Sequence, residues 1–454
     1  MFSLQIMGYI ILPLGFFLFF LNKKWLLYFT IFFMGFTGSS VLNIGNSLSI
    51  QPSYYLGVLF FIKTVISSFK EKSIIKPSIL ILFIILCIFT LIMPILLEGK
   101  NIEVINQDDI KIAVSFTYQN VTQLLYLVFS FVIYWCIKDY LCSNPSELEK
   151  VIKVFIYSCL TICLLGLYQE VAYIKNLEFN SIFRSGVHGG VQPYGSFTRI
   201  YSVTQEPSML GYFLAPVMAM IISIGNNIIK HKYLMVFLIM ITGIFTLSTT
   251  FFIGIILFVT KVIFDQLICV IKNKNNTYIN VFKQVLICLL ISIVAFALVY
   301  NLNRDVIDWI IRDSTNKLQG NGISGEIRSE AFFKHIKVGL EHPLLGVGFG
   351  SARSKDLFST WLCNIGIIPL SIFLIYLFKL IDKLKDTKDK MCYGISNFIF
   401  VLFFCAFISV PEPYFLFIWF MFAVGETLIL KNNYKVKFCL QQVMPKNQNN
   451  NQDL

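Results

Sequence analysis

The sequence predicts an all-α polytopic membrane protein with about 12–13 transmembrane helices. The chain has 454 residues, of which 56% are hydrophobic and only 14% are charged, and its mean hydropathy is +0.73. Soluble domains carry about 25% charged residues, so a soluble globular protein is excluded. The apolar residues also recur in windows of about 17–22 residues, which is the length that a helix needs to cross a bilayer.

The predicted spans are bounded by charged residues or by turn formers. In chain order they are residues 4–21, 25–42, 52–69, 78–97, 121–137, 151–174, 208–228, 233–247, 250–270, 281–300, 357–378, 394–410 and 414–430. The first window has no basic residue before it, because the first Lys is Lys23. We therefore expect a membrane span there and not a cleaved signal peptide.

These windows divide the chain into three groups of transmembrane helices that are separated by two long loops. In chain order the parts are the N-terminal helices (1–174), the first long loop (175–207), the central helices (208–300), the second long loop (301–356), the C-terminal helices (357–430) and a tail (431–454). Lys residues cluster on alternate short loops. The positive-inside rule then predicts that both long loops are extracytoplasmic and that the tail is cytoplasmic.

The formal net charge of +12 would suggest a nucleic-acid partner if it were considered alone. Most of the excess is Lys on the loops predicted to be cytoplasmic, so it indicates membrane orientation, and we expect no nucleic-acid partner. All six Arg, however, lie in the two long loops: Arg184, Arg199, Arg304, Arg312, Arg328 and Arg353. The planar guanidinium group holds phosphate or carboxylate through two hydrogen bonds. These loops are therefore predicted to bind an anionic group, most simply a lipid-linked phosphate or pyrophosphate.

The first loop ends with Arg199 and, seven residues later, Glu206-Pro-Ser. These three residues are typical of the first turn of a helix, so Glu206 could serve only to complement the positive helix N-terminus. Alternatively, a carboxylate beside Arg199 could orient that arginine or act as a general base.

The second loop contains apolar residues at helical spacing, from Ile327 to Leu340. They predict an amphipathic helix on the membrane or along a cleft, with Arg328 near its start. The run Gly346-Val-Gly-Phe-Gly350 does not follow a strand of a βαβ unit, which argues against a dinucleotide site. We expect these glycines to allow a tight return of the chain to the membrane.

The motifs resemble those of Wzy-type O-antigen polymerases and their ligase relatives. The residues concerned are Arg328, the run His342-Pro-Leu-Leu-Gly-Val-Gly-Phe-Gly350, the span with Gly366-Ile-Ile, and Arg199 with Glu206-Pro-Ser. The resemblance implies a GT-C-like membrane glycosyltransferase in the plasma (inner) membrane of a bacterium. It would transfer a growing glycan from undecaprenyl pyrophosphate to an acceptor at the outer face, with a chain-length regulator as a candidate protein partner.

The same resemblance implies roles for single residues. By motif position, Arg199 and Arg328 would hold the pyrophosphate as catalytic residues. Apart from the resemblance, we expect the following loop residues to contribute to substrate binding: Arg184, Arg312, His342, Arg353 and Asp356. The ligases carry a His-Asn pair before the span that follows the loop, and this chain has Lys355-Asp356 there. That departure favours a polymerase and leaves the general base unassigned by the resemblance. Glu206 is the first candidate for this catalytic role, followed by Asp356 and His342.

Neither a cofactor nor a metal ion is expected, because the chain has no Asp-x-Asp motif and arginines can stabilise the charge of a pyrophosphate leaving group. A ligase-like glycan transferase is one alternative, and a flippase or other transporter of lipid-linked oligosaccharide is another. Transporters place charges within their spans. The charges nearest to that pattern here are Lys63 and the pair Lys261 and Asp265, which are one helical turn apart.

Overall fold

The computed structural model describes a mainly helical chain. The described residues are 2–45, 48–68, 78–106, 109–186, 193–194, 197–225, 228–271, 279–302, 304, 308, 312, 315, 323–387 and 389–443. The helices are α1 (Ile6–Leu21), α2 (Lys23–Phe33), α3 (Pro52–Ser68), α4 (Ile79–Phe89), α5 (Met93–Leu97), α6 (Tyr118–Ser143), α7 (Leu148–Ile174), α8 (Asn180–Phe183), α9 (Pro207–Ser223), α10 (Lys232–Phe245), α11 (Thr249–Ile271), α12 (Ile279–Leu302), α13 (Ile323–Glu341), α14 (Leu357–Ile365), α15 (Ile367–Asp386), α16 (Lys390–Ser409) and α17 (Leu416–Val443).

Within the described ranges, five helical stretches are long and apolar enough to cross a membrane. They are Ile79–Leu97, Tyr118–Ser143, Pro145–Ile174, Thr249–Ile271 and Lys390–Ser409. Helices α1, α3, α9 and α10 are shorter apolar helices. The prediction of a helical membrane protein is therefore confirmed at this level, whereas the number of about 12–13 spans stays a prediction.

Two predicted spans are wrong in their extent. The window 25–42 forms a helix only as far as Phe33, because the glycine- and serine-rich residues after it fold against the first long loop; the amide of Gly38 donates to the carbonyl of Val203 at 2.7 Å. The window 357–378 is interrupted at Gly366, which separates α14 from α15 with a positive φ of 71°.

Short strands were not expected from the sequence. Strands β1 (Phe2–Leu4), β2 (Leu42–Ile44) and β3 (Leu48–Ile50) form an antiparallel sheet, and β4 (Glu103–Ile105) pairs antiparallel with β5 (Lys111–Ala113). Residues Pro193–Tyr194 (β6) and Phe197–Thr198 (β7) form a third pairing. Runs of two or three residues are too short to show a clear alternation of polar and apolar side chains, so a pattern search does not detect them.

Helix α9 is the centre of the bundle. Pro207 occupies its first turn, where the missing amide hydrogen costs nothing, and nearly every later side chain is buried. Helix α9 packs against α11 and α16, and α11 also packs against α16. The hydroxyl groups of Thr250 and Ser409 lie 3.0 Å apart at one end of this trio, and Asn397 donates to Ser223 at 2.7 Å nearer the other end.

These contacts define the two ends of the bundle. We name the end with the start of α9, the start of α11 and the end of α16 the loop end, because both long loops join helices there. The other is named the opposite end.

Helix α13 confirms the helix predicted in the second long loop, and its predicted apolar face is buried or half-buried except at Leu340. Ala331, His335 and Val338 are buried, whereas Leu340 is 60% exposed and Phe333 is 68% exposed. The buried face lies against α14 and strand β4. The hairpin β4–β5, α13 and the segment after it share a small apolar core that includes Val104 and Val338.

Candidate functional site

Arg184 in the first long loop is buried, with 8% of its surface exposed. Its guanidinium lies 4.2 Å from the ring centroid of Tyr201 and donates to the carbonyl oxygens of Thr204 (3.3 Å) and Gln205 (2.7 Å). Burial lowers the pKa of Arg184, and the nearby Tyr201 and Glu206 oppose this shift. Arg184 therefore orders the turn immediately before Glu206.

Arg199 holds the turn between α10 and α11. Its Nε donates to the carbonyl of Thr246 at 3.2 Å, and a terminal nitrogen donates to that of Leu247 at 3.3 Å. The last carbonyls of a helix lack partners within the helix, so a cation there satisfies them and complements the helix dipole. The backbone around Arg199 is fixed in turn by Gln169, whose side-chain oxygen accepts from the amides of Tyr201 and Ser202.

Glu206 precedes α9 and is exposed at the loop end. Its side chain accepts a hydrogen bond from Ser208 at 3.2 Å. Glu206 also interacts electrostatically with the buried Arg184, while its expected place beside Arg199 stays a prediction. The carboxylate thus lies at the N-terminus of α9 and near a buried guanidinium.

The run from His342 to Arg353, here named the glycine-rich segment, packs on the junction between α14 and α15. The amides of Val347 and Gly348 donate to the carbonyls of Cys363 (2.8 Å) and Asn364 (2.9 Å). The side chain of Asn364 accepts from the amide of Ala352 and donates to its carbonyl, both at 2.8 Å. These hydrogen bonds satisfy the last carbonyls of α14, which the break at Gly366 leaves without helical partners.

Two glycines make this close packing sterically feasible. Gly346 has a φ of 64°, and a Cβ there would lie 2.3 Å from the carbonyl oxygen of Cys363. A Cβ on Gly366 would lie 2.7 Å from the amide nitrogen of Gly346. Any larger residue would therefore separate the glycine-rich segment from the helix junction.

Arg353 emerges from the end of this segment. Its guanidinium forms an ion pair with Glu412, in the short loop between α16 and α17. The Glu412 side chain is 3% exposed and that of Arg353 is 35% exposed, so the carboxylate is covered and the guanidinium reaches the surface. The amide of Arg353 also donates to the carbonyl of Ile105 in β4 at 3.0 Å. One arginine thus joins the glycine-rich segment, the hairpin and the final loop.

The guanidinium of Arg353 borders a small cleft that we name the Arg353 cleft. Its volume is about 40 Å³. Polar and aromatic side chains dominate the lining: Asn106, Gln119, Gln123, Ser351, Arg353, Thr360, Trp361, Asn364 and Tyr414. Such a volume holds one or two water molecules, so a sugar ring does not fit inside it. A single oxygen-bearing group could enter while the remainder of a ligand lies above it.

Two buried polar atoms near this cleft have no hydrogen-bond partner among the described residues: Glu412 Oε2 and Trp361 Nε1. Unpaired buried polar atoms are costly and rare, and they mark places where a water molecule or a ligand group completes the network.

Asp356 and His342 have different surroundings from Glu206. Asp356 caps α14: its Oδ1 accepts from the amide of Ser359 at 2.7 Å, and its Oδ2 accepts from the hydroxyl groups of Ser354 and Ser359. Burial raises the pKa of Asp356, while these hydrogen bonds lower it in part. His342 is half-buried just after α13. Of the three candidate bases, Glu206 is therefore the one that is exposed.

Arg328 and Arg312 are exposed. Within the part of the chain that the structure describes, no ion pair or hydrogen bond holds the Arg328 side chain. It lies seven residues before His335 on α13, which is about 10 Å along the helix axis. His335 Nε2 accepts from the amide of Ile105 at 3.1 Å, and the carbonyl of Ile105 accepts from Arg353. Helix α13 and β4 thus connect the backbone of Arg328 to that of Arg353.

Sequence reasoning missed Glu412 and Asn364. Glu412 lies between two prolines in a loop of only a few residues, and an acid flanked by prolines between two apolar windows is a signal that could have been used. Asn364 lies inside an apolar window, where a polar amide usually has a buried partner.

The intramembrane charges relevant to transport lie towards the opposite end. Lys261 and Asp265 form the predicted pair at 3.0 Å, and Lys385 near the end of α15 also binds Asp265. Lys63 reaches the carbonyl of Phe19 near the end of α1. All of these charges have partners in the helix bundle.

Among the described residues, no cluster of three or more His, Cys, Asp or Glu side chains could hold a metal ion. Comparison with protein-family models, with curated proteins and with solved structures finds no match for this chain.

Proposed function

We propose that this protein is a metal-independent polysaccharide polymerase of the membrane. It would join oligosaccharide repeat units carried on undecaprenyl pyrophosphate into O-antigen, capsule or exopolysaccharide at the outer face of a bacterial plasma membrane. The proposal includes a GT-C-like arrangement, with membrane lipid and a chain-length regulator as further partners. An O-antigen ligase-like transferase is the second candidate within the same chemistry.

The observation that carries the proposal is the arrangement of arginine at the loop end. Arg199 and Arg353 are anchored there by backbone carbonyls and by Glu412, respectively, and both remain partly exposed. A guanidinium that is fixed in advance can bind a pyrophosphate without first losing its own conformational freedom. Arg328, exposed on α13, would supply a further contact when substrate binds.

The proposed reaction is a displacement at the anomeric carbon of the growing glycan. An acceptor hydroxyl oxygen forms the new bond to that carbon, and the bond from the carbon to the phosphate oxygen breaks. The electron pair leaves with undecaprenyl pyrophosphate, whose increasing negative charge Arg199, Arg328 and Arg353 would stabilise. The hydroxyl proton passes to a carboxylate.

Glu206 is the proposed acceptor of that proton. It is exposed at the loop end, whereas both oxygens of Asp356 already accept hydrogen bonds within the protein. The buried Arg184 would fix the turn that carries Glu206, which makes Arg184 a positioning residue. Glu412 has the corresponding role for Arg353, since it is covered and does not line the cleft.

The test is the fate of repeat units in cells whose polysaccharide depends on this protein. In cells with Arg328→Ala or Arg328→Lys we expect single lipid-linked repeats and no long chains, at normal protein level. A lysine retains the charge but not the planar fork, so the pair of variants separates charge from geometry. Long chains in the Arg328→Ala cells would contradict the assigned role of Arg328.

The location of the single repeats distinguishes the alternatives. A lost polymerase leaves them on the outer face, whereas a lost flippase leaves them on the cytoplasmic face. A lost ligase instead leaves long chains that remain attached to the lipid carrier. The paired charges at the opposite end give less support to a flippase, because transporters place such groups at the midplane of the membrane.

A further inference from the structure

A large cavity lies at the opposite end of the bundle, away from the arginines. Its volume is about 670 Å³, and α4, α6, α15 and α17 form its walls. In chain order, the residues that line the cavity run from Ser78, just before α4, to Lys431 on α17. Cavities of a few hundred cubic ångströms or more are large enough for a small organic ligand or for the head of a lipid.

One wall of the cavity is a buried polar cluster around Glu426. This carboxylate accepts from the hydroxyl groups of Tyr134 and Tyr376, both at 2.8 Å, and forms an ion pair with Lys138. Ser78 also donates to it, at 3.3 Å. The charges of Lys138 and Glu426 therefore neutralise each other and give the cavity a rigid wall rather than a net charge.

The remaining cations of the cavity are not neutralised in this way. Lys379 and Lys383 are exposed on successive turns of α15, and the half-buried Lys431 on α17 also lines the cavity. Throughout the described ranges, none of these three lysines takes part in an ion pair. Asp139 is the one remaining acid in the lining, so this part of the cavity has an excess of positive charge.

The rest of the lining is apolar. Ile79, Leu380, Ile429 and Leu430 contribute hydrocarbon surface next to these lysines. The ammonium groups of long lysine side chains can reach the polar boundary of the membrane while their stems lie along apolar surface. Cations beside hydrocarbon complement a molecule that has a phosphate at one end and acyl chains at the other.

We propose that this cavity binds an anionic glycerophospholipid. The phosphodiester would lie between Lys379, Lys383 and Lys431, and the first part of the acyl chains would lie along the apolar lining. Basic pockets between transmembrane helices bind anionic lipid head groups for the same electrostatic reason. The site is separate from the proposed polymerase chemistry and does not depend on it.

The experiment measures lipid retention by the full-length protein in a neutral detergent after delipidation. The probes are phosphatidylglycerol, phosphatidylcholine and inorganic phosphate, added separately, with retained lipid counted by mass spectrometry of the intact complex. We expect phosphatidylglycerol to be retained and phosphatidylcholine to be lost. Equal retention of the two lipids would overturn the proposal, and so would displacement of phosphatidylglycerol by inorganic phosphate at a similar concentration.

A matched pair of variants locates the site. Lys379→Gln with Lys383→Gln should weaken phosphatidylglycerol binding about tenfold or more, because each lysine near an anionic surface contributes to binding. Lys230→Gln with Lys390→Gln removes the same charge from exposed positions that do not line the cavity, and it should leave binding unchanged. The same loss in both variants would overturn the assignment to this cavity. All four lysines are exposed, so both variants should fold normally.

Discussion

The two ends of the helix bundle use charge in different ways. At the loop end the three arginines of the candidate site that are buried or half-buried are held by backbone carbonyls, as Arg184 and Arg199 are, or by one covered acid, as Arg353 is. At the opposite end two buried lysines within helices, Lys138 and Lys261, are paired with acids on a neighbouring helix or on the same helix. Carbonyl oxygens orient a guanidinium without cancelling its charge, whereas an ion pair removes the net charge.

This difference teaches where an anion can bind. The guanidinium groups of Arg184, Arg199 and Arg353 at the loop end are held in a fixed geometry, which suits a pyrophosphate. The pair Lys138–Glu426 at the opposite end neutralises itself, whereas Lys379, Lys383 and Lys431 around the cavity form no ion pair with the described residues. Substitutions at the two ends should therefore differ in whether they remove function, stability or both.

The largest expected effect on stability is at the opposite end. Glu426→Ala removes the carboxylate and leaves Lys138 buried without its partner, which should cost about 3–5 kcal/mol of unfolding free energy. Thermal unfolding in detergent measures it. The double variant Lys138→Met with Glu426→Leu should recover most of the loss, because neither charge remains buried alone. If the single variant were as stable as the wild type, the cluster would not have the role assigned to it.

Arg353→Ala should reduce both stability and polymer formation. It leaves Glu412 covered and unpaired, which should cost about 2 kcal/mol or more, and it removes a guanidinium from the Arg353 cleft. Glu412→Gln keeps the shape of the side chain and should retain more stability while polymer formation falls. Unfolding curves and polymer yield are measured on the same preparations. Full activity in Arg353→Ala would exclude this cleft from the active site.

The loop end should also be sensitive to pH through His335. Burial lowers the pKa of His335 to about 4 from an ordinary value of 6.5. The unfolded form therefore binds the proton more readily than the folded form, and stability should fall as the pH decreases below about 6.5. Between pH 7 and pH 5 the loss should be about 2 kcal/mol, with little further loss below the folded pKa.

Hydrogen exchange of the β4–β5 hairpin at pH 7 and pH 5 measures this loss, since His335 accepts from the amide of Ile105. His335→Gln can still accept that hydrogen bond but does not titrate. It should show a smaller pH dependence than the wild type. An equal pH dependence in the two proteins would assign the effect to other groups.

Asn364→Ala should have a smaller effect on stability. It removes the two hydrogen bonds to Ala352, each of which contributes about 1 kcal/mol. The glycine-rich segment should then hold Arg353 less firmly, so the KM for the lipid-linked substrate should rise. Gln123→Ala alters the cleft lining and leaves both hydrogen bonds of Asn364 in place, so it distinguishes the effect of the lining from that of the segment. A normal KM in Asn364→Ala would show that the glycine-rich segment does not contribute to substrate binding.

The smallest expected change in stability is that of Arg328→Ala. The side chain is exposed, so unfolding should shift by less than about 0.5 kcal/mol. The substitution of Arg328 should therefore change function without changing stability, in contrast to the substitution of Glu426. A large loss of stability would show that Arg328 has a structural partner and would weaken its assignment as a substrate contact.

Local pattern predicted most of the helices but not the packing between them. Apolar windows located α3, α6, α9 and α11 to within a few residues, because a bilayer-length apolar run is a property of consecutive residues. The end of α2 at Phe33 depends on contacts with the first long loop, and the break at Gly366 depends on the glycine-rich segment. Neither cause is visible within a single window.

The residue types of the candidate site could be read from the sequence, whereas their pairings could not. The confinement of arginine to the two long loops is visible in the sequence, and it led us to expect an anion-binding site in those loops. The pairing of Arg353 with Glu412 joins residues that are 59 positions apart, and that of Arg184 with the turn before Glu206 depends on how the first loop folds. The separation of two residues along the chain does not show whether their side chains are in contact.

Polymer formation by the purified protein tests the central claim most directly. The wild-type protein, in chelator and without added metal, would be incubated with a synthetic repeat unit on undecaprenyl pyrophosphate, beside Arg328→Ala at equal concentration. The account predicts a ladder of longer glycans and release of undecaprenyl pyrophosphate by the wild type, with neither from the folded variant. Unchanged single repeats in both samples, or the same ladder in both, would contradict it.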